Sequence, residues 1–444
     1  MEITLVEKND EFIEELEKYL QTHNLNEASF NELAKIINFS FSIENCSRLL
    51  SHHICEGLDS YTQQSQRYVK MGETSFIVPN EIIGNELENE YKKNVLELID
   101  FYRKITQVNE GFCGRKATTK DYLYGIKIED GRYILPLATT TNVFVTLNFS
   151  KIINFFKTIK RLDNAESKEL LEKIKQVIGK EKIIMLIEKF SENRIQEEQI
   201  IEFEKKQFEK INEENNVILI NNFENSIIRS ALGAITSTSE DTPSKIKLDW
   251  SENALEKSKG ITQRVMGYGH TSIIEHARTN FGLMMSLTCY HQFERHRLPS
   301  NIREQFENIP LQRNVIIPES IQQNNEILKE FENKIKQIKE FRKKLIEKKL
   351  QTTANYLLLN CDIIKLISST NARMDNDILS ERTCNNAQWE IRNLYNKKLE
   401  LLKQTAPIIY DQAGPPCTKG ICPEGTLTCG KIIEMRKKYG YFGK

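Results

Sequence analysis

Apolar residues recur at helical spacing among charged ones over residues 13–37 and 90–105, and the pattern predicts two amphipathic helices. The pair Asp130-Gly131 signals a turn ahead of a short apolar run at 132–137, and a further helix is expected over 148–159. From 163 to 214 Glu and Lys alternate with Ile, Leu and Phe, a pattern of exposed helices bridging two domains. Residues 216–221, Asn-Val-Ile-Leu-Ile-Asn, form a compact β-type run where a second domain is expected to begin. Residues 237–245 read as a loop and 274–290 and 319–359 as helices. The tail, 411–444, carries Gly, Pro and Cys and is expected to hold little regular structure. The fold class is α+β with helix dominant.

Composition narrows the function classes. The chain has 444 residues, with 62 Lys+Arg against 62 Asp+Glu and hence no net charge. That length suggests two or three domains, and 39% apolar with 28% charged residues is ordinary globular composition. A neutral balance removes the electrostatic case for coating nucleic acid or a membrane surface. No apolar run approaches the roughly 18 residues a bilayer span requires. Residues 1–12 lack the basic flank and apolar core of a signal peptide. Nine cysteines, three crowded near the C-terminus, fit a reducing cytoplasm and not a disulfide scaffold.

Three segments hold candidate chemistry. Arg295-His296-Arg297, with Gln292 before it and Ser300 after it, sets adjacent cations that repel unless anions lie between them. Guanidinium forks match phosphate oxygens, so the triplet suits a phosphate or flavin; the alternative is a surface cluster paired to Glu294 and Glu304. Residues 269–276, Gly-His-Thr-Ser-Ile-Ile-Glu-His, read as a helix start capped by Ser272 with Glu275 in its first turn. His270 and His276 do not have the spacing of a helical zinc pair. Residues 60–68, Ser-Tyr-Thr-Gln-Gln-Ser-Gln-Arg-Tyr, offer hydrogen-bonding side chains with one charge, enough to read a polar base edge and a phosphate. An exposed polar loop has the same composition.

Together these segments resemble the signature of the flavin-dependent thymidylate synthases, a family that methylates dUMP with methylenetetrahydrofolate, FAD and NADPH. Its hallmark is Arg-His-Arg followed at fixed spacing by Ser, Asn, Ser and Arg, and preceded by Gly-His-x4-Glu-His. Here His270 lies 25 residues before Arg295, as the family spacing requires. Asn371-Ala372-Arg373, Arg382 and residues 387–391, Ala-Gln-Trp-Glu-Ile, resemble the family's last helical segment.

The resemblance is split between two halves. In the second half Arg295-His296-Arg297 and Ser300 are intact, but Ile302, Arg303, Gln305 and Glu307 occupy the later motif positions. In the first half Ser65 and Arg67 match those later positions, while Cys55, Glu56 and Gly57 stand where the family has Arg-His-Arg. The upstream His and Glu positions there are Phe30 and Lys35. The same sorting recurs downstream. Arg132 opens an Arg-x-Ile-Leu-Pro segment with Asn148 sixteen residues on, but Ile159 fills the later arginine position. The second half has Asn355, Asn371 and Arg382 at the three corresponding places. Losses sorted in this way argue against a dead scaffold, which would decay without regard to its partner half. A diverged flavoprotein acting on another nucleotide remains the enzyme alternative.

The resemblance therefore implies two tandem thymidylate-synthase-like domains with antiparallel sheet, at 1–195 and 216–410. A charged helical bridge, 196–215, separates them, and a Cys/Gly/Pro tail, 411–444, follows. It implies that FAD is held by His270, Ser272, Glu275, Arg295, His296 and Arg297, with Asn148 or Asn371 at the flavin ring or folate. It implies that dUMP is held by Gln63, Ser65, Arg67, Arg132, Gln292, Arg295 and Arg382, of which Arg67, Arg295 and Arg382 serve the chemistry. It further implies a homodimer standing in for the family's tetramer. Cys417, Cys422 and Cys429 have no evident fourth partner in the sequence, and no metal is expected.

Overall fold

The computed structural model describes residues 1–8, 10–57, 59–71, 76–110, 117–192, 198–221 and 225–443; residues 193–197 of the charged stretch lie outside these. The chain packs as two compact units. The first comprises Met1–Glu197, Ser286–Arg297 and Gln305–Ile363, and the second Glu198–Met285, Leu298–Glu304 and Ile364–Lys444.

In the first unit, β1 (Glu2–Lys8), β2 (Asn38–Ser47), β3 (Ser60–Gln63) and β4 (Thr140–Asn148) form an antiparallel sheet in the order β1-β2-β4-β3. Burial alternates along the pairs, with Phe39, Phe41 and Ile43 opposite Leu147, Val145 and Val143. A period of two buries one face of each strand and fixes the register. Between Ile43 and Cys46 the ladder slips around Asn45, whose φ of 57° is the left-handed conformation that asparagine tolerates. The bulge delivers the chain to the helix Arg48–Cys55, all of whose residues are buried.

That helix is fixed at its start. Ser47 Oγ accepts from Leu50 N, while Ser47 N and Oγ each donate to Glu166 at 2.6 Å. Tyr356 OH donates to the same carboxylate at 2.8 Å. Elsewhere in this unit the helices Glu86–Ile105 and Asn325–Glu347 run antiparallel, joined by Lys104–Glu330, Lys334–Glu97, Lys344–Glu90 and Lys348–Glu86. These mostly exposed pairs set register more than stability, since an exposed pair is worth about 0–1 kcal/mol.

In the second unit β5 (Val217–Leu219), β6 (Arg278–Ser286), β7 (Ser300–Arg303) and β8 (Ile363–Asn371) take the equivalent order, β5-β6-β8-β7. The duplication shows in the caps as well. Ser286, like Ser47, ends a central strand and caps the next helix, Leu287–Phe293, by accepting from Cys289 N. Asn148 and Asn371 both end the partner strand and accept from Ser150 N and Met374 N. The α+β architecture holds, as two sheets of one topology.

Several expected elements change. Residues 274–290 are not one helix: β6 occupies Arg278–Ser286, and only Leu287–Phe293 is helical. From Phe281 through Ser286 only Gly282 has no side chain and every residue is buried, so a strand covered on both faces reads as a continuous apolar run. Gly282 is needed because a Cβ there would meet Ile211 and Ile218 side chains at 2.8–2.9 Å. The helix expected over 13–37 divides into Asp10–Leu20 and Glu27–Leu33, broken before the Asn26 cap, and that over 319–359 into Glu319–Gln322, Asn325–Glu347 and Gln351–Asn355. Asn148 ends a strand, and the helix begins at Ile152. Among its described residues the tail holds one α-helix, Ile432–Tyr439, and the 3-10 turns Pro416–Thr418 and Gly425–Leu427.

One buried ion pair holds the second unit's core. Lys398 Nζ lies 2.6 Å from Asp375, both almost fully buried, and 4.8 Å from the Phe281 ring. Asp375 also accepts from Thr279 Oγ1 at 3.2 Å. Breaking such a pair strands a buried charge. Asp375→Ala is therefore expected to cost about 3–5 kcal/mol, and adding Lys398→Met should recover part of it. Urea unfolding measures both; a loss in Asp375→Ala below about 1 kcal/mol would contradict the arrangement.

Candidate active site

The first unit brings the two retained half-motifs together. The helix Arg48–Cys55 comes from the first half of the sequence and Leu287–Phe293 from the second. Arg48, only 4% exposed, donates from Nη1 to His291 Nε2 at 2.7 Å and from Nη2 to Gln64 O at 3.1 Å. One guanidinium thus joins the 60–68 segment to the residue before Gln292. Arg297 Nη2 donates to Tyr61 O, and its guanidinium stands 5.5 Å from the Tyr61 ring centre. A small cleft between them is lined by Tyr61, Gln63, His291, Glu294, Arg295 and Arg297.

The electrostatics follow from burial and from like charge. Arg48 is pulled down to about 9 by burial, then by Arg132 and Arg295. Burial lowers Arg132 too. Arg48 Nε and Arg132 Nη2 are buried with no hydrogen-bond partner. Two unsatisfied guanidinium donors near a third arginine form a site that an anion would complete. Arg67 Nε is held by Glu129 at 2.9 Å, and its own backbone N donates to Ser65 Oγ at 3.1 Å. Arg132 donates from Nε to Glu129 O at 3.0 Å.

Beneath the arginines lies a polar cluster that the sequence did not single out. Because Arg48 can only donate, neutral His291 accepts at Nε2 and carries its proton on Nδ1, 2.8 Å from Glu294 Oε1. His52 Nδ1 lies 3.1 Å from Glu294 and 3.1 Å from His291 Nδ1. These ligand-type atoms fall within 4.8 Å of one another. Hydrogen-bond spacing, with Arg48 on the imidazole and Arg295 close by, favours a charge-balancing cluster over a dication. Glu294 is thus engaged by histidines and does not serve as the counter-ion of a surface triplet.

The positions where the first half lost Arg-His-Arg have become structural. Glu56 Oε1 accepts from Tyr290 OH at 3.0 Å. A Cβ on Gly57 would meet Tyr61 Oη at 2.5 Å, so any side chain there requires the Tyr61 ring to shift. Burial raises the Cys55 thiol well above its usual range. A faint signal existed in the sequence: Arg48, Ser51, His52 and His53 are interleaved with Leu49, Leu50, Ile54 and Cys55, where polar side chains need partners.

Of the expected residues, Gln63, Ser65, Arg67, Arg132, Asn148, Gln292, Arg295, His296 and Arg297 lie in the first unit. Gln63 Nε2 donates to Ser51 Oγ, and Gln292 is buried with Nε2 3.4 Å from Thr288 O. Asn148 donates to Lys35 O at 2.8 Å. His270, Ser272, Glu275, Asn371 and Arg382 lie in the second unit. There Thr271–His276 is a 3-10 turn with no side-chain cap, so Ser272 does not cap it as expected; Glu275 pairs with Arg373 at 2.6 Å. Arg382 ends the helix Ala372–Arg382.

His291 makes the cluster testable. Burial first, then His52 and Arg48, hold it well below the usual imidazole range. Below about pH 6.5 the unfolded chain binds a proton there that the folded chain refuses. Its stabilising contribution is thus complete above that pH and is lost as the pH falls. Native protein should lose more of its unfolding midpoint between about pH 7.5 and about pH 5.5 than His291→Gln does. Equal slopes would remove His291 from the account.

Among the described residues no helix is long and apolar enough to cross a membrane. Comparison with known proteins places the site in context. The family model described as "Thymidylate synthase complementing protein" matches twice, over residues 4–181 and 219–408. A flavin-dependent thymidylate synthase of Clostridium tetani is 36% identical over 205 residues, covering 41% of this chain and 82% of that protein. One of Geobacter sulfurreducens is 32% identical, covering 40% and 78%, and one of Pyrococcus furiosus 34%, covering 43% and 82%. Each relative spans less than half of the chain, while the family pattern accounts for both halves. With two copies of the pattern and two sheets of one topology, the chain belongs to the thymidylate synthase complementing protein family.

Proposed function

We propose that this chain is an FAD-dependent thymidylate synthase that methylates dUMP with methylenetetrahydrofolate and NADPH, using one site built from complementary halves of a duplicated sequence. The observation that carries the reading is Arg48 bonded to both Gln64 and His291, joining the segment that kept Ser65 and Arg67 to the one that kept Arg295-His296-Arg297. The partnerless donors of Arg48 and Arg132, with Arg67 and Arg295, suit anions, and both dUMP and FAD carry phosphate.

In this reading Ser65, Arg67 and Arg132 bind the dUMP phosphate, with Glu129 holding the Arg67 fork in place. Gln63 and Gln292 hydrogen-bond the base. Arg295 polarises a uracil carbonyl, where negative charge grows as the ring carbon becomes nucleophilic, and Arg382 is assigned to the chemistry on the family pattern alone. Arg297 and His296, with His270, Ser272, Glu275 and Asn371 or Asn148, are assigned to FAD on the family pattern. Bound flavin supplies the redox chemistry, and the protein contributes binding, orientation and polarisation. Two chains forming a homodimer would supply the four domains of a family tetramer.

Arg67→Ala and Arg295→Ala test the shared site, since they lie in opposite halves of the sequence. Each removes a charge-assisted contact of roughly 1.5–3 kcal/mol, so dUMP affinity should fall about tenfold or more in both. Titration of dUMP against the flavin absorbance provides the measurement. Weakening in only one variant would break the reading, and protein that purifies without flavin and takes up none would end it.

A further inference from the structure

A second cleft opens beside the positions where the first half lost its motif. The 3-10 turn Phe149–Lys151 runs into the helix Ile152–Lys160, which packs on Arg48–Cys55. Ile152, Ile153, Phe156 and Ile159 bury the core side of that helix. Lys151, Asn154, Phe155 and Thr158 stand at spacing i, i+3, i+4 and i+7, which places them on one stripe. That stripe meets Glu56 and Tyr61 around a cleft of about 240 Å3. We propose that this cleft is an effector site for an uncharged nitrogen heterocycle of nucleobase to nucleoside size, separate from the arginine-lined cleft and coupled to it through Tyr61.

Size, lining and charge select that class. The volume lies just below the roughly 300–1,000 Å3 of pockets for drug-sized ligands, which leaves room for a nucleoside and not for a dinucleotide. Phe155 and Tyr61, 6% and 7% exposed, offer aromatic surface to a planar ring. Among the described residues no protein group is hydrogen-bonded to the side chains of Lys151, Asn154 or Thr158. An amide and a hydroxyl each donate and accept, which matches the mixed N–H and C=O edge of a base.

Charge separates this cleft from its neighbour. Lys151 and Glu56 bring one charge of each sign to it. The Glu56 carboxylate, bonded to Tyr290 OH at 3.0 Å, would repel a phosphate dianion. The neighbouring cleft carries Arg295 and Arg297 against Glu294. A phosphorylated substrate and an unphosphorylated effector are thus sorted by charge, and the second cleft adds no dUMP site.

Tyr61 lines both clefts. Its carbonyl accepts from Arg297 Nη2, and its ring centre stands 5.5 Å from that guanidinium. Its hydroxyl rests against Gly57, where a Cβ would lie 2.5 Å away. The ring is confined from both sides, so a ligand that clamps it also fixes the carbonyl that holds Arg297. Occupancy of one cleft then carries a coupling free energy to the other. The coupling rests on the function proposed above; the binding itself does not.

The test uses the full chain and tritiated thymidine in equilibrium dialysis, with and without saturating dUMP. One thymidine should bind per chain, and it should stay bound when dUMP fills the arginine-lined cleft. Asn154→Leu removes the amide and Thr158→Phe fills the space. Each should weaken thymidine about tenfold or more while flavin content and the dUMP count hold. Thymidine should shift dUMP affinity about fivefold or more in native protein and not in Thr158→Phe. Should Thr158→Phe fail to fold, Asn154→Leu, at an exposed position, decides. Protein without flavin that still binds thymidine with this variant dependence would uphold the cleft and end the reading of its neighbour. The proposal is overturned by no bound thymidine, by one-for-one displacement with dUMP, or by native affinity in both variants. Unchanged dUMP affinity, or a second flavin per chain that Thr158→Phe expels, would overturn it equally.

Discussion

The bonding of one buried guanidinium organises the candidate site. Arg48 satisfies a backbone carbonyl in the strand-and-loop segment of the first half and an imidazole in a helix of the second. The imidazole is buried, and losing a buried partner costs about 1–3 kcal/mol for each group left unsatisfied. That position is itself set from further back. Ser47 caps the helix that carries Arg48, and Glu166 grips Ser47 by both backbone and hydroxyl. The carboxylate is buried and held above its usual range by burial, against the hydrogen bonds that favour its charged form. A chain of satisfied polar groups thus leads from Tyr356 and Glu166, through the cap, to the arginine.

The duplicated architecture explains how such a site can be shared. Two sheets of equal strand order each end a central strand in a capping serine and a partner strand in a capping asparagine. Equivalent serine caps launch short helices in both halves, one bearing Arg48 and His52, the other His291 and Gln292. Once both copies exist in one chain, each helix is free to specialise. Glu56 and Gly57, at positions where the family pattern has His and Arg, now receive Tyr290 and make room for Tyr61. Loss of the motif in one half became packing for the motif in the other.

Much of this was legible in the sequence, though unevenly. The family pattern located Ser65, Arg67, Arg132 and Arg295-His296-Arg297, and the first unit gathers these residues. Arg48, His52 and Glu294 escaped because a buried polar cluster has no spacing signature: its members lie 239–243 residues apart and are defined only by whom they touch. The strand β6 was read as helix because burial on both faces erases the alternation that betrays a strand.

Division of labour between the halves has one direct numerical consequence. If the retained motifs make one site and the vacated positions are packing, a full chain offers a single dUMP site. Equilibrium dialysis of radiolabelled dUMP against flavin-loaded protein counts those sites without depending on turnover. The account requires saturation at one dUMP per chain. Two equivalent sites per chain would mean that the positions around Glu56 and Gly57 still accept substrate, and the shared-site interpretation would fail.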